Sequence, residues 1–296
     1  MAGQQLLAPA VLQRLSNIEL VAKTVVDGFL HGGHRSPQFG FSQEFAEYRA
    51  YSEGDDPRYI DWNVLSRTDR AYVKRFLGET NTNLLLLLDC SASMGYSSGG
   101  ISKLDYARFL AAALAYLCTR QHDAVGLVLF DERIREVRPA QYRPRHLQSI
   151  LHALERARPA TGTDLAAPLQ ALTRLMRRRG LVAMVSDFLA DPEAVLDSIR
   201  SVACHGKDIV FFHVLDPEEL GPGINSAALV EDMETGERME VSPDYARQVY
   251  PALVRRHVDA LRERILGQGA DYVLLNTGQP LDLALREYLL FRLRRR

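Results

Sequence analysis

Blocks of apolar and polar residues follow one another along this chain in patterns that predict alternating strands and helices. The clearest block is the run of five consecutive leucines from Leu84 to Leu88. The run is too short to cross a bilayer and too uniformly apolar for a strand with one solvated face. It predicts a central strand that is buried on both faces of a parallel sheet and that ends at Asp89.

The blocks that follow continue this alternation. Further strands are predicted at 124–130, 134–137, 181–186, 209–215 and 272–275, and helices at 103–119, 145–156, 164–178, 192–202, 243–266 and 281–296. A hairpin with its turn at Glu234-Thr235-Gly236 is predicted within residues 227–241. Strands that alternate with helices at this spacing predict a doubly wound, mainly parallel α/β sheet with helices on both faces.

Two blocks precede the leucine strand. Residues 11–30 carry apolar side chains every three to four positions, which predicts an amphipathic helix docked on a domain core. Residues 40–63 interleave aromatic with charged side chains, which predicts ordered structure because flexible linkers contain few aromatic residues. A short strand is predicted at 71–76. We therefore expect an N-terminal segment, 1–80, packed on an α/β domain, 81–296, that carries a small hairpin insertion near 217–243.

The turn after the leucine strand contains the first candidate chemistry. Asp89, Ser91 and Ser93 place a carboxylate and two hydroxyls at alternating positions, at the edge of the sheet where open α/β folds bind ligands. Oxygen donors suit a hard cation such as Mg²⁺. Two later loops should reach the same edge and complete the shell. The predicted site for Mg²⁺ or Mn²⁺ is Asp89, Ser91, Ser93, Thr163 and Asp187.

This set resembles the metal-ion-dependent adhesion site of von Willebrand factor A domains, in which Asp-x-Ser-x-Ser is followed by a distant Thr and a distant Asp. The resemblance implies that the hydroxyls of Ser91, Ser93 and Thr163 touch the metal, while Asp89 and Asp187 act through water or hydrogen bonds. An ion without a direct anionic ligand from its own chain can recruit an Asp or Glu carboxylate from a partner protein. A purely structural metal site is the alternative.

The block before the leucine strand carries a narrower resemblance. The run from Glu44 to Asn63, followed by Lys74-Arg75-Phe76, is similar to the signature of the bacterial family called domain of unknown function 58. Many members accompany an AAA+ ATPase of the MoxR type, which implies a chaperone-like adaptor between that ATPase and a client protein. The block is a candidate second contact surface, with bracing of the sheet as its alternative role; the residues concerned are Glu44, Glu47, Arg49, Asp55, Asp56, Arg58, Asp61 and Trp62.

Composition narrows the functional classes further. The net charge of −1 over 296 residues provides no overall attraction to nucleic acid. Three cysteines without a C-x-x-C spacing indicate neither a disulfide framework nor a zinc site, which fits a reducing cytoplasm. The chain is predicted to have no signal peptide and no membrane span, because it lacks apolar runs of sufficient length.

Two enzymatic alternatives start from the same turn. The first is an α/β serine hydrolase that uses Ser93, Asp187 and His213, which follow one another in the chain order of that triad. Against it, His213 falls inside an apolar strand, and Ser91 stands where the elbow needs its first glycine. The second, a haloacid-dehalogenase-like phosphatase, needs a second aspartate at the position of Ser91. The sequence therefore favours a non-enzymatic binding module, with the hydrolase as the alternative.

Overall fold

The described part of the chain forms two units in the computed structural model. Contacts between residues group Met1–Gly32 and Thr82–Arg296 into one unit and Gly33–Asn81 into the other. The structure describes residues 9–13, 15, 17–31, 45–52, 61–68, 70–76, 83–143, 145–160, 162, 180–189, 208–233 and 236–294.

The strands of the described residues are short and fall in both units. In chain order they are β1 (Phe45–Ala50), β2 (Tyr72–Phe76), β3 (Asn83–Asp89), β4 (Ala124–Phe130), β5 (Ile134–Gln141), β6 (Leu181–Ser186), β7 (Asp208–Leu215), β8 (Ala228–Glu231), β9 (Arg238–Val241) and β10 (Asp271–Asn276).

The α-helices of the described residues differ widely in length, and none is both long and apolar enough to cross a membrane. They are α1 (Pro9–Leu12), α2 (Ile18–His31), α3 (Trp62–Thr68), α4 (Lys103–Arg120), α5 (His146–Arg156), α6 (Pro217–Leu220), α7 (Tyr250–Gly267) and α8 (Asp282–Arg294).

A six-stranded sheet organises the larger unit. Its order is β10-β7-β6-β3-β4-β5. All neighbouring pairs are parallel except β4 and β5, which pair antiparallel at one edge. Among the described residues, α4 lies between β3 and β4, and α6 and α7 lie between β7 and β10. The predicted α/β class and the mainly parallel, doubly wound sheet are confirmed.

The leucine strand lies where its composition predicts. The five leucines of β3 are buried, because the strand is paired with β4 on one side and β6 on the other. The helix α4 follows the turn after β3, with the Ser102 side chain accepting a hydrogen bond from the Asp105 N–H at 3.1 Å as its N-cap. The observed bounds of β4 and β6 match the predicted ones, and α4 begins at the predicted residue.

Some predicted elements have different bounds in the structure. The edge strand predicted at 134–137 continues to Gln141, because β5 pairs with β4 along that whole length. The helix predicted at 243–266 begins at the predicted residue, passes through a π-helical turn at Tyr245–Val249, and continues as α-helix from Tyr250 to Gly267. The helices predicted at 164–178 and 192–202 lie outside the described residues.

The N-terminal helix belongs to the unit of the sheet. The predicted helix over 11–30 is interrupted before Ile18, where the Asn17 Oδ1 accepts a hydrogen bond from the Glu19 N–H at 2.7 Å and starts a new helix. The apolar stripe of α2, which includes Val21 and Val25, is buried, and α2 packs on α4. The predicted docking of this helix on a domain core is therefore observed.

The smaller unit contains the antiparallel pair β1 and β2 with the helix α3 between them. The strand predicted at 71–76 is observed as β2, Tyr72–Phe76, whereas the sequence predicted only ordered structure where β1 lies. Asp61 is buried and accepts a hydrogen bond from the Val64 N–H at 3.2 Å, which caps α3. The packing of residues 33–80 on the sheet stays a prediction.

The insertion between β7 and α7 contains the predicted hairpin. Strands β8 and β9 pair antiparallel, with Ala228 opposite Val241 and Glu231 opposite Arg238. Four large apolar side chains of this hairpin are exposed: Leu229, Val230, Met233 and Met239.

The close approach of β4 and β5 at Gly126 generates a testable prediction. A Cβ atom on Gly126 would lie 2.7 Å from both the Ala140 N and the Arg138 O, which are backbone atoms that cannot swing away. We expect Gly126→Ala to lower the free energy of unfolding by about 1–3 kcal/mol in urea titrations. Gly100→Ala is the control, because a Cβ there meets no atom within 4 Å. Equal stabilities of the two variants would contradict this account.

Candidate functional site

The carboxyl ends of three neighbouring parallel strands bring buried acidic residues to one edge of the sheet. Asp89 ends β3, Asp187 directly follows β6, and Asp216 directly follows β7. The three side chains are buried, as are Ser91 and Ser93. The structure therefore brings four of the five predicted metal-site residues to the same edge, and the fifth, Thr163, lies outside the described residues.

The turn after β3 holds its oxygen donors through short hydrogen bonds. The Ser91 N–H donates to the Asp89 Oδ1 at 2.8 Å. The hydroxyls of Ser91 and Ser93 lie 3.1 Å apart. Ser93 is also the first residue of the 3₁₀ turn Ser93–Gly95. These contacts fix a carboxylate and two hydroxyls close together, as the alternating sequence pattern predicted.

The segment that leads to Thr163 reaches this turn. The Ala160 N–H donates to the Cys90 carbonyl at 2.8 Å. A Cβ atom on Gly95 would lie 3.0 Å from the Pro159 Cγ, so a larger residue at position 95 would push this segment away. The predicted assignment of Thr163 as a ligand stays a prediction.

Ser186 is a site residue that the sequence analysis did not identify. Its hydroxyl donates to the Asp89 Oδ2 at 2.5 Å and accepts a hydrogen bond from the Phe188 N–H at 3.0 Å. Both oxygens of Asp89 are therefore held by donors from its own chain. Its position directly before Asp187, at the end of a predicted strand, is the signal that could have identified Ser186.

Phe188 stands in a backbone conformation that bulky residues avoid. Its φ is +46°, in the left-handed region. The buried Phe188 ring is held edge-on by Phe211 and His213, at centroid distances of 5.6 and 5.5 Å. This packing stabilises a sharp turn: Asp187, just before Phe188, is buried at the sheet edge, and Leu189, just after it, is 50% exposed.

The electrostatics of the edge is dominated by buried negative charge. Burial, together with the nearby charge of Asp187, raises the pKa of Asp89 to about 7, although the hydrogen bonds from Ser186 and Ser91 act in the opposite direction. Two carboxylates in one buried place resist being ionised together. A cation at this edge would relieve that repulsion.

Lys103, at the first position of α4, was also missed by the sequence analysis. Its buried ammonium group donates to the Asp187 Oδ2 at 2.8 Å and to the Glu219 Oε1 at 2.5 Å. Burial alone would lower the pKa of Lys103, but the carboxylates of Asp187 and Glu219 outweigh it and raise that pKa. No local pattern in the sequence points to this ion pair, because its members lie 84 and 116 residues apart.

The oxygen donors of this edge fit a hard divalent cation. Within the described ranges, no three side chains of His, Cys, Asp or Glu come together as a metal cluster. A metal site here must therefore depend on hydroxyls as well as carboxylates, which is the donor chemistry that Mg²⁺ and Mn²⁺ accept. The described residues that would hold the ion, directly or through water, are Ser91, Ser93, Asp89 and Asp187.

The residues of the alternative hydrolase triad do not form a hydrogen-bonded triad. The His213 Nδ1 pairs with the Tyr272 hydroxyl at 2.6 Å, and its Nε2 has no hydrogen-bond partner among the described residues. Burial lowers the pKa of His213 to about 3, so the ring is neutral. The Ser93 hydroxyl instead lies beside that of Ser91. This arrangement does not support Ser93 as an activated nucleophile.

The predicted second contact surface is only partly described. Trp62 is 62% exposed at the start of α3, whereas Asp61 is buried and caps that helix. Glu47 and Arg49 lie on β1. The remaining predicted contacts lie outside the described residues: Glu44, Asp55, Asp56 and Arg58. The role of this surface stays a prediction.

Comparison with known sequences identifies relatives without an assigned function. The family described as "Protein of unknown function DUF58" matches residues 47–260. The uncharacterized protein Rv1480 of Mycobacterium tuberculosis (strain ATCC 25618 / H37Rv) is 30% identical over 274 residues, which cover 91% of this chain and 86% of that protein.

Comparison with solved structures gives matches at low sequence identity. The conserved hypothetical protein BatB from Bacteroides thetaiotaomicron is 17% identical with a TM-score of 0.50, and the match covers 71% of this chain and 98% of BatB. The VWA domain of SpRpn10 is 10% identical with a TM-score of 0.42, over 70% of this chain and 94% of that domain. With the observed strand order, the likeness to BatB confirms the predicted von Willebrand factor A-like fold.

The raised pKa of Asp89 predicts a pH dependence of stability in metal-free protein. The folded protein retains the Asp89 proton up to about pH 7, whereas an ordinary carboxyl in the unfolded chain loses it near pH 3.8. The stronger binding of this proton by the folded state stabilises the protein. The stabilisation is complete below pH 3.8 and is lost as the pH rises through 7.

Asp89→Asn removes the titrating group and should eliminate this loss. In urea titrations with EDTA, we expect the stability of the variant relative to wild type to rise by about 1–3 kcal/mol between pH 5 and pH 8. A stability difference between variant and wild type that is the same at both pH values would show that ionisation of Asp89 does not cause the loss of stability with rising pH.

Proposed function

This chain belongs to the family described as protein of unknown function DUF58, as its sequence signature predicted, and from that premise we propose a metal-dependent protein-binding function. The chain is a von Willebrand factor A-type module. In this proposal it binds Mg²⁺ or Mn²⁺ at the edge formed by Asp89 and Asp187 and docks a partner protein there, without catalysing a reaction.

The observation that carries the proposal is the burial of Asp89 beside Asp187. Both carboxylates are fully buried, and the Lys103 ammonium is shared between Asp187 and Glu219. Buried carboxylates are costly unless they are paired or coordinate a metal. A divalent cation would supply the charge that this edge lacks.

When bound, a divalent cation supplies an electrophilic centre that can accept a carboxylate oxygen from a partner. The chain itself presents the Ser91 and Ser93 hydroxyls, which lie 3.1 Å apart. Ser186 and the Ser91 N–H hold the Asp89 carboxylate in place. Such outer contacts orient the oxygens around a metal and tune its affinity.

Exposed apolar side chains near this edge support docking rather than a purely structural metal. Leu189 follows Asp187 closely and is 50% exposed. Met233, on the hairpin insertion, is equally exposed, and its Cε lies 3.8 Å from the position that a Cβ atom on Gly95 would take. Apolar contacts around a central polar anchor are typical of protein interfaces.

The partner classes follow from the family resemblance combined with the site chemistry. We propose that the protein acts in the bacterial cytoplasm as a chaperone-like adaptor between a MoxR-type AAA+ ATPase and a client protein. The client provides the Asp or Glu carboxylate, and the exposed Trp62 with its neighbouring charges provides a second contact.

Calorimetry and co-purification test this function together. Asp89→Ala should abolish Mg²⁺ and Mn²⁺ binding while the circular dichroism spectrum is retained, because it removes the carboxylate that the Ser91 N–H and the Ser186 hydroxyl hold in place. Asp187→Ala should release the same partner from native cell extract that EDTA releases. Glu240→Ala, which removes an exposed carboxylate from the hairpin, is the control and should bind metal normally.

Two results would contradict the proposal in different ways. Unchanged metal binding by Asp89→Ala would mean that the metal site is elsewhere. Metal binding that is lost without the loss of any partner would show a structural metal and would remove the docking function.

A further inference from the structure

The most unusual charged group of the described residues is the fully buried side chain of Lys103. Lysine is rarely buried completely unless its ammonium group is paired. Here the Nζ donates to the Asp187 Oδ2 at 2.8 Å and to the Glu219 Oε1 at 2.5 Å. The Tyr96 ring lies 5.9 Å from the same nitrogen. The ammonium is thus held next to one of the two carboxylates of the candidate metal site.

The Glu219 carboxylate makes a second contact, which restricts its movement relative to Lys103. Its Oε2 accepts a hydrogen bond from the Asp216 N–H at 2.8 Å, and the Asp216 side chain caps the start of α6 in return. The backbone N–H of Asp216 therefore holds the Glu219 carboxylate in place beside Lys103. Lys103 therefore bridges the Asp187 carboxylate of the metal edge and the Glu219 carboxylate of α6.

We propose that Lys103 is the internal counter-cation of the metal edge, and that its ion pair with Asp187 opposes the binding of a divalent cation. This inference rests on the proposed metal function. The ammonium and the divalent cation share the negative charge of Asp187, and two positive charges at such short range repel one another. Glu219 reduces this opposition by drawing part of the ammonium charge away from Asp187.

The proposal has a consequence for docking. Because Lys103 already neutralises Asp187, the bound divalent cation keeps more of its positive charge for an outside ligand. Lys103 therefore weakens the binding of the metal in the absence of a partner. Tight metal binding then requires a carboxylate from the partner protein. A lysine that merely braced Asp187 would have the opposite effect on the metal, since its removal would disorder a ligand.

Titration calorimetry of the full chain with MnCl₂ and MgCl₂ distinguishes these two roles. Lys103→Met removes the charge while retaining an unbranched side chain. We expect the dissociation constant for Mn²⁺ to fall by about ten- to hundredfold in this variant, by Coulomb repulsion over a few ångströms in a partly screened site. Arg120→Met is the matched control, because it removes one cation from the far end of the same helix and should leave the dissociation constant unchanged.

A second variant tests the proposal even if Lys103→Met fails to fold. Glu219→Gln leaves Lys103 with Asp187 as its remaining acidic partner, while the glutamine oxygen can still accept the Asp216 N–H. We expect the dissociation constant for Mn²⁺ to rise by about three- to tenfold, because the full ammonium charge then acts on Asp187. An unchanged or lower dissociation constant in Glu219→Gln would overturn the proposal.

The remaining outcomes separate this inference from the function on which it rests. Wild-type binding that is unchanged or weakened by Lys103→Met overturns the role of Lys103 and leaves the metal function standing. Binding that appears only in Lys103→Met supports the role of Lys103 and removes metal binding from the native protein. If neither protein binds Mn²⁺ or Mg²⁺, both ideas fail, because there is no divalent cation for Lys103 to oppose.

Discussion

The cost of burying carboxylates at the end of an apolar strand is the constraint on which this edge of the molecule depends. Asp89 follows five buried leucines and is itself buried, with Asp187 close enough to raise its pKa further. A charge in such a place must be paired or hydrogen-bonded. The Ser91 N–H and the Ser186 hydroxyl satisfy Asp89, and the Lys103 ammonium satisfies Asp187.

The topology of the sheet supplies these partners from distant parts of the chain. Parallel strands β3, β6 and β7 end at the same edge, so the residues after each strand meet there. The helices that follow β3 and β7 then contribute Lys103 and Glu219. The left-handed backbone at Phe188, held by its buried ring, turns the chain sharply between buried Asp187 and exposed Leu189.

This arrangement suits recognition better than acid–base chemistry. His213 is neutral, pairs with Tyr272 and makes no described contact with Ser93. The polar groups instead hold one another in fixed positions, with exposed apolar side chains nearby. In the proposed function, Lys103 already pairs with Asp187, and an outside anion would complete the coordination of the divalent metal, which would couple the two binding events.

The sequence by itself determined the α/β class, the central strand and the Asp89 to Ser93 turn, because burial pattern and turn chemistry are local properties of neighbouring residues. It also predicted Asp187 from its place after a buried strand. It could not predict the full length of β5, which depends on pairing with β4. Only the tertiary structure decided the partners of the two carboxylates. Ser186 is separated from Asp89 by 97 residues, and Lys103 from Asp187 by 84. No sequence pattern predicts such a pair, because its interaction energy depends on distance and burial. Both are set only when folding brings the strand ends and helices together.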